Sequence, residues 1–365
     1  MSFALILIVI LLYYCSANKS NPRTIKNYIK FITVTLILVS GLRHEAVGND
    51  TYSYIQNFEN LMITPWSEVT ADFWDLYFNP GADGKDPGER VIIKAFTEIL
   101  PNARWFLFVV AALLLIPLGV LVYRNSKTLE TPCFFYVFYL SFFYHYLPNS
   151  AVRQSMALTL LVIGYLFLQK DKVKYFLLFL FLATFLHKTV IIALLILPFY
   201  YSRHIKFGYL ISFLLFIIML FTYNYVGVFL SMQSDIYEGY GVGTYYAQGH
   251  SAPFLVIIMV LALYFVGVFG INKDSSAYSN RLIYGGSALT LIWVVLVRLD
   301  PSVIRLISYF GPWMGLMVSH ALRQWRPRDY KLFLIIILMM FALRAIITPD
   351  NYHFLWQEMQ LHERY

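Results

Sequence analysis

LSFFYHYLPNSAVRQSMALTLLVIGYLFLQKDKVKYFLLFLFLATFLHKTVIIALLILPFYY, residues 140–201, is apolar for most of its length and broken at two places. Asn149, Arg153 and Gln154 make the first break, and His187 and Lys188 the second. Apolar runs of this kind cross about 30 Å of hydrocarbon as helices. Cations at the edge of hydrocarbon are costly, so by default they mark a functional site. The two short arms flanking His187 and Lys188 read as a helical hairpin, because the charges of the loops then alternate correctly from side to side.

The rest of the chain is of the same kind. Its 365 residues are 59% hydrophobic and only 13% charged, whereas a soluble domain carries about a quarter charged residues. The expected fold is an all-α polytopic integral membrane protein, a single transmembrane domain over residues 1–365 with about 12 spans, between about 11 and 14. Loops alternating to one face, from Lys19 to Lys331, hold 17 of the 28 Lys and Arg residues against four acids. The positive-inside rule makes that face cytoplasmic and places both termini outside. The formal charge of +8 is therefore an orientation signal, and nucleic acid is not expected as a partner. Residues 3–14 lack a basic leader and a small-residue cleavage site, so they read as a retained span. Cys15 and Cys133 fall near the cytoplasmic face, where thiols stay reduced, and two cysteines indicate neither a disulfide scaffold nor a zinc site.

On the outer side, residues 43–104 form the longest polar segment, with ten acids and five bases. Val69, Phe73, Leu76 and Tyr77 recur at helical spacing, as do Val91, Ile92, Ala95, Phe96 and Ile99, with NPGADGKDPG between them. Two amphipathic helices on the membrane surface, joined by a turn, are expected, with Trp66, Trp74 and Trp105 at the interface. Residues 223–252 form a second outer loop without Lys or Arg; Tyr240 and Tyr245, beside Asp235 and Glu238, suit a sugar-binding lid or a flexible glycine-tyrosine loop. Arg153, Lys188, Arg298, Arg305 and Arg344 break the charge rule at the outer edge, with His145, His187 and Asp300 nearby. Arginine's planar fork binds phosphate oxygens two at a time, so such a set suits a lipid-borne diphosphate. Snorkelling side chains or an ion pair of Asp300 with Arg298 or Arg305 are the alternatives.

No GxxxxGK[ST], GxGxxG, HExxH or DxD sequence is present, so nucleotide-driven transport and metal-dependent sugar transfer lack support, and no metal or cofactor is expected. The residues suit a cavity where arginines stabilise a diphosphate leaving group while a carboxylate or histidine takes a proton from an acceptor hydroxyl.

GLRHEAVGNDTYSY after an early span, YHYLPNS followed by VRQSMALTLLVIGYLFL, the turn QKDKVKYF and LFLATFLHKTVII together resemble the EpsG family of Wzy-type bacterial polysaccharide polymerases, up to about residue 201. The resemblance implies a GT-C-like membrane glycosyltransferase of O-antigen, capsule or exopolysaccharide synthesis. It implies work at the outer face of the bacterial inner membrane, with an undecaprenyl-diphosphate-linked oligosaccharide as substrate, membrane lipid around it and a chain-length regulator as a further partner. Arg43, Arg153 and His187 match the family's recurrent polar positions. On this resemblance Arg153 and Arg305 take the donor diphosphate, with Arg43, Gln154, Lys188, His145, Arg298, Tyr240 and Tyr245 lining the substrate. His187 contacts diphosphate or transfers a proton, and Glu45 or Asp50 is the expected base, with other outer acids, including Asp235 and Glu238, as alternatives. An O-antigen ligase using the same carrier, or a lipid-linked sugar flippase, is the alternative; a flippase calls for two similar halves and charges at the bilayer midplane, which the sequence lacks.

The charge reading makes a direct prediction. A reporter fused after Arg328 faces the cytoplasm and one fused after Asp83 faces outside; the reverse at either point overturns the sidedness.

Overall fold

The computed structural model describes residues 3–17, 20–48, 50–79, 86–145, 147–202, 205–231, 252–269, 278–299, 304–322, 335, 338–339 and 352–357. Among them the regular structure is helical, and the one β pairing is an isolated antiparallel bridge between Arg43 and Phe354. The chain divides into two compact units, residues 1–191 with 341–365, and residues 192–340.

The first unit begins with α1 (Phe3–Ser16) and α2 (Pro22–Gly41). Pro22 sits in the first turn of α2, where it has no bond to lose, and the Asn21 side chain accepts from the Arg23 amide. Three helices of the outer segment follow: α3 (Thr51–Ile63), α4 (Trp66–Phe78) and α5 (Pro87–Ile99). The periodicity of α4 and α5 is as expected, but α3 is additional. Its buried stripe is Thr51, Tyr54, Phe58 and Leu61, a helical spacing in which a hydroxyl and two aromatics stand beside a single aliphatic residue. Trp66, Trp74 and Trp105 are all exposed.

α6 (Ala103–Asn125) opens on an Asn102 cap and is long and apolar enough to cross a membrane. α7 (Glu130–Tyr139) runs on into a π-helical turn, Leu140–Tyr144, and is followed by α8 (Val152–Leu168) and α9 (Val173–Leu186). α8 and α9 pack as an antiparallel pair, with Tyr165 stacked on Phe176. α9 stops at Leu186; His187 is extended, and a 3₁₀ segment, Lys188–Leu195, comes next. The chain therefore breaks where the two charges interrupt the apolar run.

The second unit holds α10 (Ile196–Tyr201), α11 (Ile205–Ser231), α12 (Ala252–Phe269), α13 (Tyr278–Val294) with a 3₁₀ turn Val295–Arg298, α14 (Ile304–Ile307) and α15 (Gly311–Leu322). α13 is the central helix, lodged among α10, α11, α12 and α15, whereas α11 leaves Phe207, Leu210, Leu214, Ile218 and Phe221 exposed. A continuous apolar face of this extent is covered by lipid in a membrane protein, since water would make it an aggregation surface. Residues 207–226 and 281–298 join α6 as helices long and apolar enough to span, and five shorter apolar helices accompany them among the described residues.

Two glycines set close approaches in the first unit. Gly48 has φ +89°, and a Cβ there would meet the Asn149 carbonyl oxygen at 2.1 Å; one at Gly88 would lie 2.9 Å from the Phe185 oxygen. Gly88 thereby lets the first turn of α5 abut the last turn of α9. Because the obstacle is backbone, Gly88→Ala forces the two helices apart, with an expected cost of about 1–3 kcal/mol, the range for overpacking. A lowered midpoint of thermal unfolding for the purified variant checks this, and an unchanged midpoint refutes it.

Candidate functional site

Asp86 and Glu89 occupy the N-cap and third positions of α5, the places where a helix start ordinarily uses acidic side chains on its own amides. Asp86 makes no such cap. Its Oδ2 instead accepts from His187 Nδ1 at 3.0 Å, and its Oδ1 accepts from the Lys188 backbone amide at 3.0 Å. Arg153, in the first turn of α8, reaches both acids: Nη1 lies 3.5 Å from Asp86 Oδ2 and Nε lies 3.4 Å from Glu89 Oε2. The Tyr54 hydroxyl of α3 accepts from the same guanidinium. Side chains from α3, α5 and α8 thus meet at the C-terminal end of α9.

The acids are nearly buried, with side-chain exposures of 4% for Asp86 and 13% for Glu89, while Arg153 and His187 keep 25% and 23%. Burial alone would raise the Asp86 carboxyl. The hydrogen bond and charge of His187, the Lys188 amide and Arg153 outweigh it, so Asp86 is held below the usual carboxylate range. Glu89 goes the other way: burial dominates, the Asp86 charge adds to it, and the attraction of Arg153 and Arg90 does not compensate, so it is pushed up to about 7. Burial pushes the Tyr54 phenol up to about 12, against the pull of Arg153, so it stays neutral. An ionised Asp86 can only accept, so His187 Nδ1 carries the proton of that bond. Two carboxylates with separated proton affinities beside a fixed guanidinium are an arrangement for moving a proton next to developing negative charge. Lys188 is exposed, and among the described residues its ammonium is in no ion pair.

Of the residues expected at the site, Arg153, His187 and Lys188 come together. Gln154 is buried beside Arg153 in α8, and His145 is exposed just past the π-turn. Glu45 is half-buried in the turn after α2, and Asp50 sits at the start of α3, where its charge is felt by Tyr54. The acids that meet Arg153 are Asp86 and Glu89 rather than either of these. Arg43 is 2% exposed, and its bonds go to the Ser40 carbonyl (2.5 Å), Ser40 Oγ (3.1 Å) and Thr51 Oγ1 (3.4 Å). Burial pushes its guanidinium down to about 10, so it stays charged at neutral pH. As placed, Arg43 ties the end of α2 to α3, and its backbone bridges to Phe354. In the second unit Arg298 stacks on aromatic rings and Arg305 is half-buried in α14. Tyr240 and Tyr245 lie outside the described residues. Asp86, Glu89 and Tyr54 were not singled out from sequence; the pattern D-P-G-E at residues 86–89 was the available signal for the two acids. Among the described residues no three His, Cys, Asp or Glu side chains converge as metal ligands do.

Helical fold and apolar spans define a multi-span membrane protein, with the Asp86, Glu89, Arg153 and His187 cluster as its candidate site. The family model described as EpsG family matches residues 26–359, and the chain belongs to that family, a Wzy-type polysaccharide polymerase family. Neither the curated proteins nor the solved structures hold a match to the chain.

Glu89 has a measurable signature. Its folded-state affinity for protons is raised above the ordinary value of 4.5, so the folded chain binds more protons than the unfolded one between about pH 4.5 and 7, and stability falls as pH rises through that window. Glu89→Gln is expected to flatten this slope, whose limit is about 1.4 kcal/mol per pH unit. Asp86 acts oppositely, stabilising above the ordinary carboxylate range and losing that contribution as pH falls below it. Unfolding midpoints of both proteins from pH 4 to 8 test the assignment; parallel profiles refute it.

Proposed function

We propose that this polymerase moves a growing glycan from undecaprenyl diphosphate onto the non-reducing end of a new undecaprenyl-diphosphate-linked repeat unit. The site lies on the outer face of the cytoplasmic membrane, in a GT-C-like arrangement of about 12 spans, and the chemistry uses protein groups without a metal. The observation that carries this reading is the buried Glu89 held against Arg153, with His187 fixed by Asp86.

The acceptor hydroxyl attacks the anomeric carbon of the donor sugar, and the bond from that carbon to the diphosphate oxygen breaks. Glu89 takes the hydroxyl proton, the task expected of Glu45 or Asp50. Its shared partner Arg153 is the reason to prefer it, because base and cation are then positioned by one another. Arg153, Lys188 and the His187 ring face the departing diphosphate, whose new negative charge they stabilise. Asp86 fixes the His187 ring and the Lys188 backbone, so the end of α9 needs no reorganisation during the reaction.

A strain deleted for the gene, with its surface polysaccharide resolved by size, tests the reading. Deletion is expected to leave a single repeat unit on its acceptor, and wild type to restore the ladder. Polymer stranded on its lipid carrier identifies a ligase instead, and single lipid-linked units at the inner face identify a transporter. Glu89→Gln, Arg153→Ala and His187→Ala are expected to lose elongation about 10²-fold or more at normal membrane abundance, the scale of a lost acid–base group. Arg153→Lys is also expected to be poor, since a point charge does not replace a planar fork. Wild-type ladders from the Glu89 and Arg153 variants sink the assignment.

A further inference from the structure

Leu147, Pro148 and Asn149 belong to the turn that delivers the chain into α8, just ahead of Arg153. Their successive carbonyls are each met by a hydroxyl from a different helix. Ser155 of α8 donates to the Leu147 carbonyl, Ser40 of α2 to that of Pro148 at 3.3 Å, and Thr51 of α3 to that of Asn149 at 2.5 Å. Arg43 stands behind two of these hydroxyls: its Nη1 donates to Ser40 Oγ at 3.1 Å and its Nε to Thr51 Oγ1 at 3.4 Å. An arginine cannot accept, so both hydroxyls receive from it and turn their own protons away. The Ser40 proton then goes to Pro148, and the Thr51 proton to Asn149 or, at 2.6 Å, to the Val47 carbonyl. A charged donor polarises the hydroxyl it binds, which strengthens the bond that hydroxyl makes in turn. Ser40, Arg43, Thr51 and Asn149 are all buried, so a bond lost here leaves a polar group without ready access to water.

We propose that Arg43 is a positioning residue for Arg153: acting through Ser40 and Thr51, it fixes the turn from which α8 starts, and with it the place where the Arg153 guanidinium meets Asp86 and Glu89. The role differs from the substrate contact that the family resemblance implies for Arg43, since its Nε and Nη1 are engaged inside the protein. That the placement serves glycan transfer rests on the polymerase reading. Arg153 reaches its two acids at 3.5 and 3.4 Å, so a start of α8 displaced by about 1 Å takes the guanidinium away from them, and a misplacement of that size costs up to about a hundredfold in rate. Glu89 reports the placement. Arg153 faces it from α8 and Tyr54 from α3, while Asp86 and Arg90 share its helix. Burial raises its affinity for protons, and the Arg153 charge pulls that affinity back down. A guanidinium set further away therefore sends Glu89 further up.

The test uses the full-length protein in detergent. The Glu89 carboxyl is titrated by infrared difference spectroscopy, its band assigned by its loss in Glu89→Gln, and elongation is followed on the lipid-linked single units extracted from the deletion strain. Thr51→Val keeps the shape and removes the hydroxyl; it is expected to raise the Glu89 midpoint and to lower kcat about tenfold or more at an unchanged KM. Thr51→Ser is expected to restore both. Arg43→Lys is expected to move both in the same direction as Thr51→Val, because an ammonium does not bridge two hydroxyls as a planar fork does, and the two changes together are expected to fall short of additivity. Ser40→Ala, which removes the other hydroxyl, carries the same expectation and replaces Thr51→Val if that variant does not fold. Thr33→Val removes a buried hydrogen bond with Tyr136, 2.7 Å long and between α2 and α7; it is expected to lower the unfolding midpoint without moving Glu89 or kcat. A Glu89 midpoint that Thr51→Val and Arg43→Lys leave in place overturns the inference, whatever the rate. A raised KM for Arg43→Lys beside wild-type values for Thr51→Val also overturns it, and returns Arg43 to the substrate. A shifted midpoint at wild-type kcat keeps the positioning and removes instead the reaction assigned to Arg153.

Discussion

The Asp86 carboxylate is bonded to two successive residues of another helix end while it borders an arginine of a third. Its oxygens hold the His187 ring and the Lys188 amide, and Arg153 lies beside them. A carboxylate this buried is costly unless each lone pair finds a donor, so the cluster stands or falls together. Because Asp86 is the N-cap residue of α5, the bond also fixes where that helix begins and brings Gly88 against Phe185. The acid forgoes the local use its position invites, and the energy of that choice goes into joining α5, α8 and the end of α9.

Arginine serves three different ends in this chain, and surroundings separate them. Arg153 is flanked by acids and partly open, a charge held ready. Arg43 is shut in by hydroxyls and a carbonyl and joins α2 to α3. Arg298 is faced by rings. In each case an apolar setting magnifies the charge, but what lies in the plane of the guanidinium decides whether anything else can be bound.

The sequence made the helical membrane class plain, because apolar length and charge asymmetry are set by the bilayer rather than by packing. Arg153, His187 and Lys188 were legible for the same reason: a charge inside an apolar run stands out. Asp86 and Glu89 were not, since the outer segment holds ten acids and nothing local tells which are turned inward. That depends on α9 ending where it does, a contact across about a hundred residues of chain. α3 was missed because Tyr54 and Phe58 can line a buried face as well as a loop, and only neighbours distinguish them. Tyr54 joined the site with it.

The bridge between Arg43 and Phe354 is reinforced by the His44 amide donating to the His353 carbonyl, the Leu355 amide donating to Leu42, and the Tyr352 hydroxyl donating to the Val39 carbonyl. The first unit is therefore discontinuous, with all of the second unit's sequence inserted between its parts. During synthesis the helices that carry Arg153 and His187 emerge long before the segment that closes over the Arg43 turn. Loop closure over so long a separation is slow relative to local helix formation, so the site's own unit is the last to be completed.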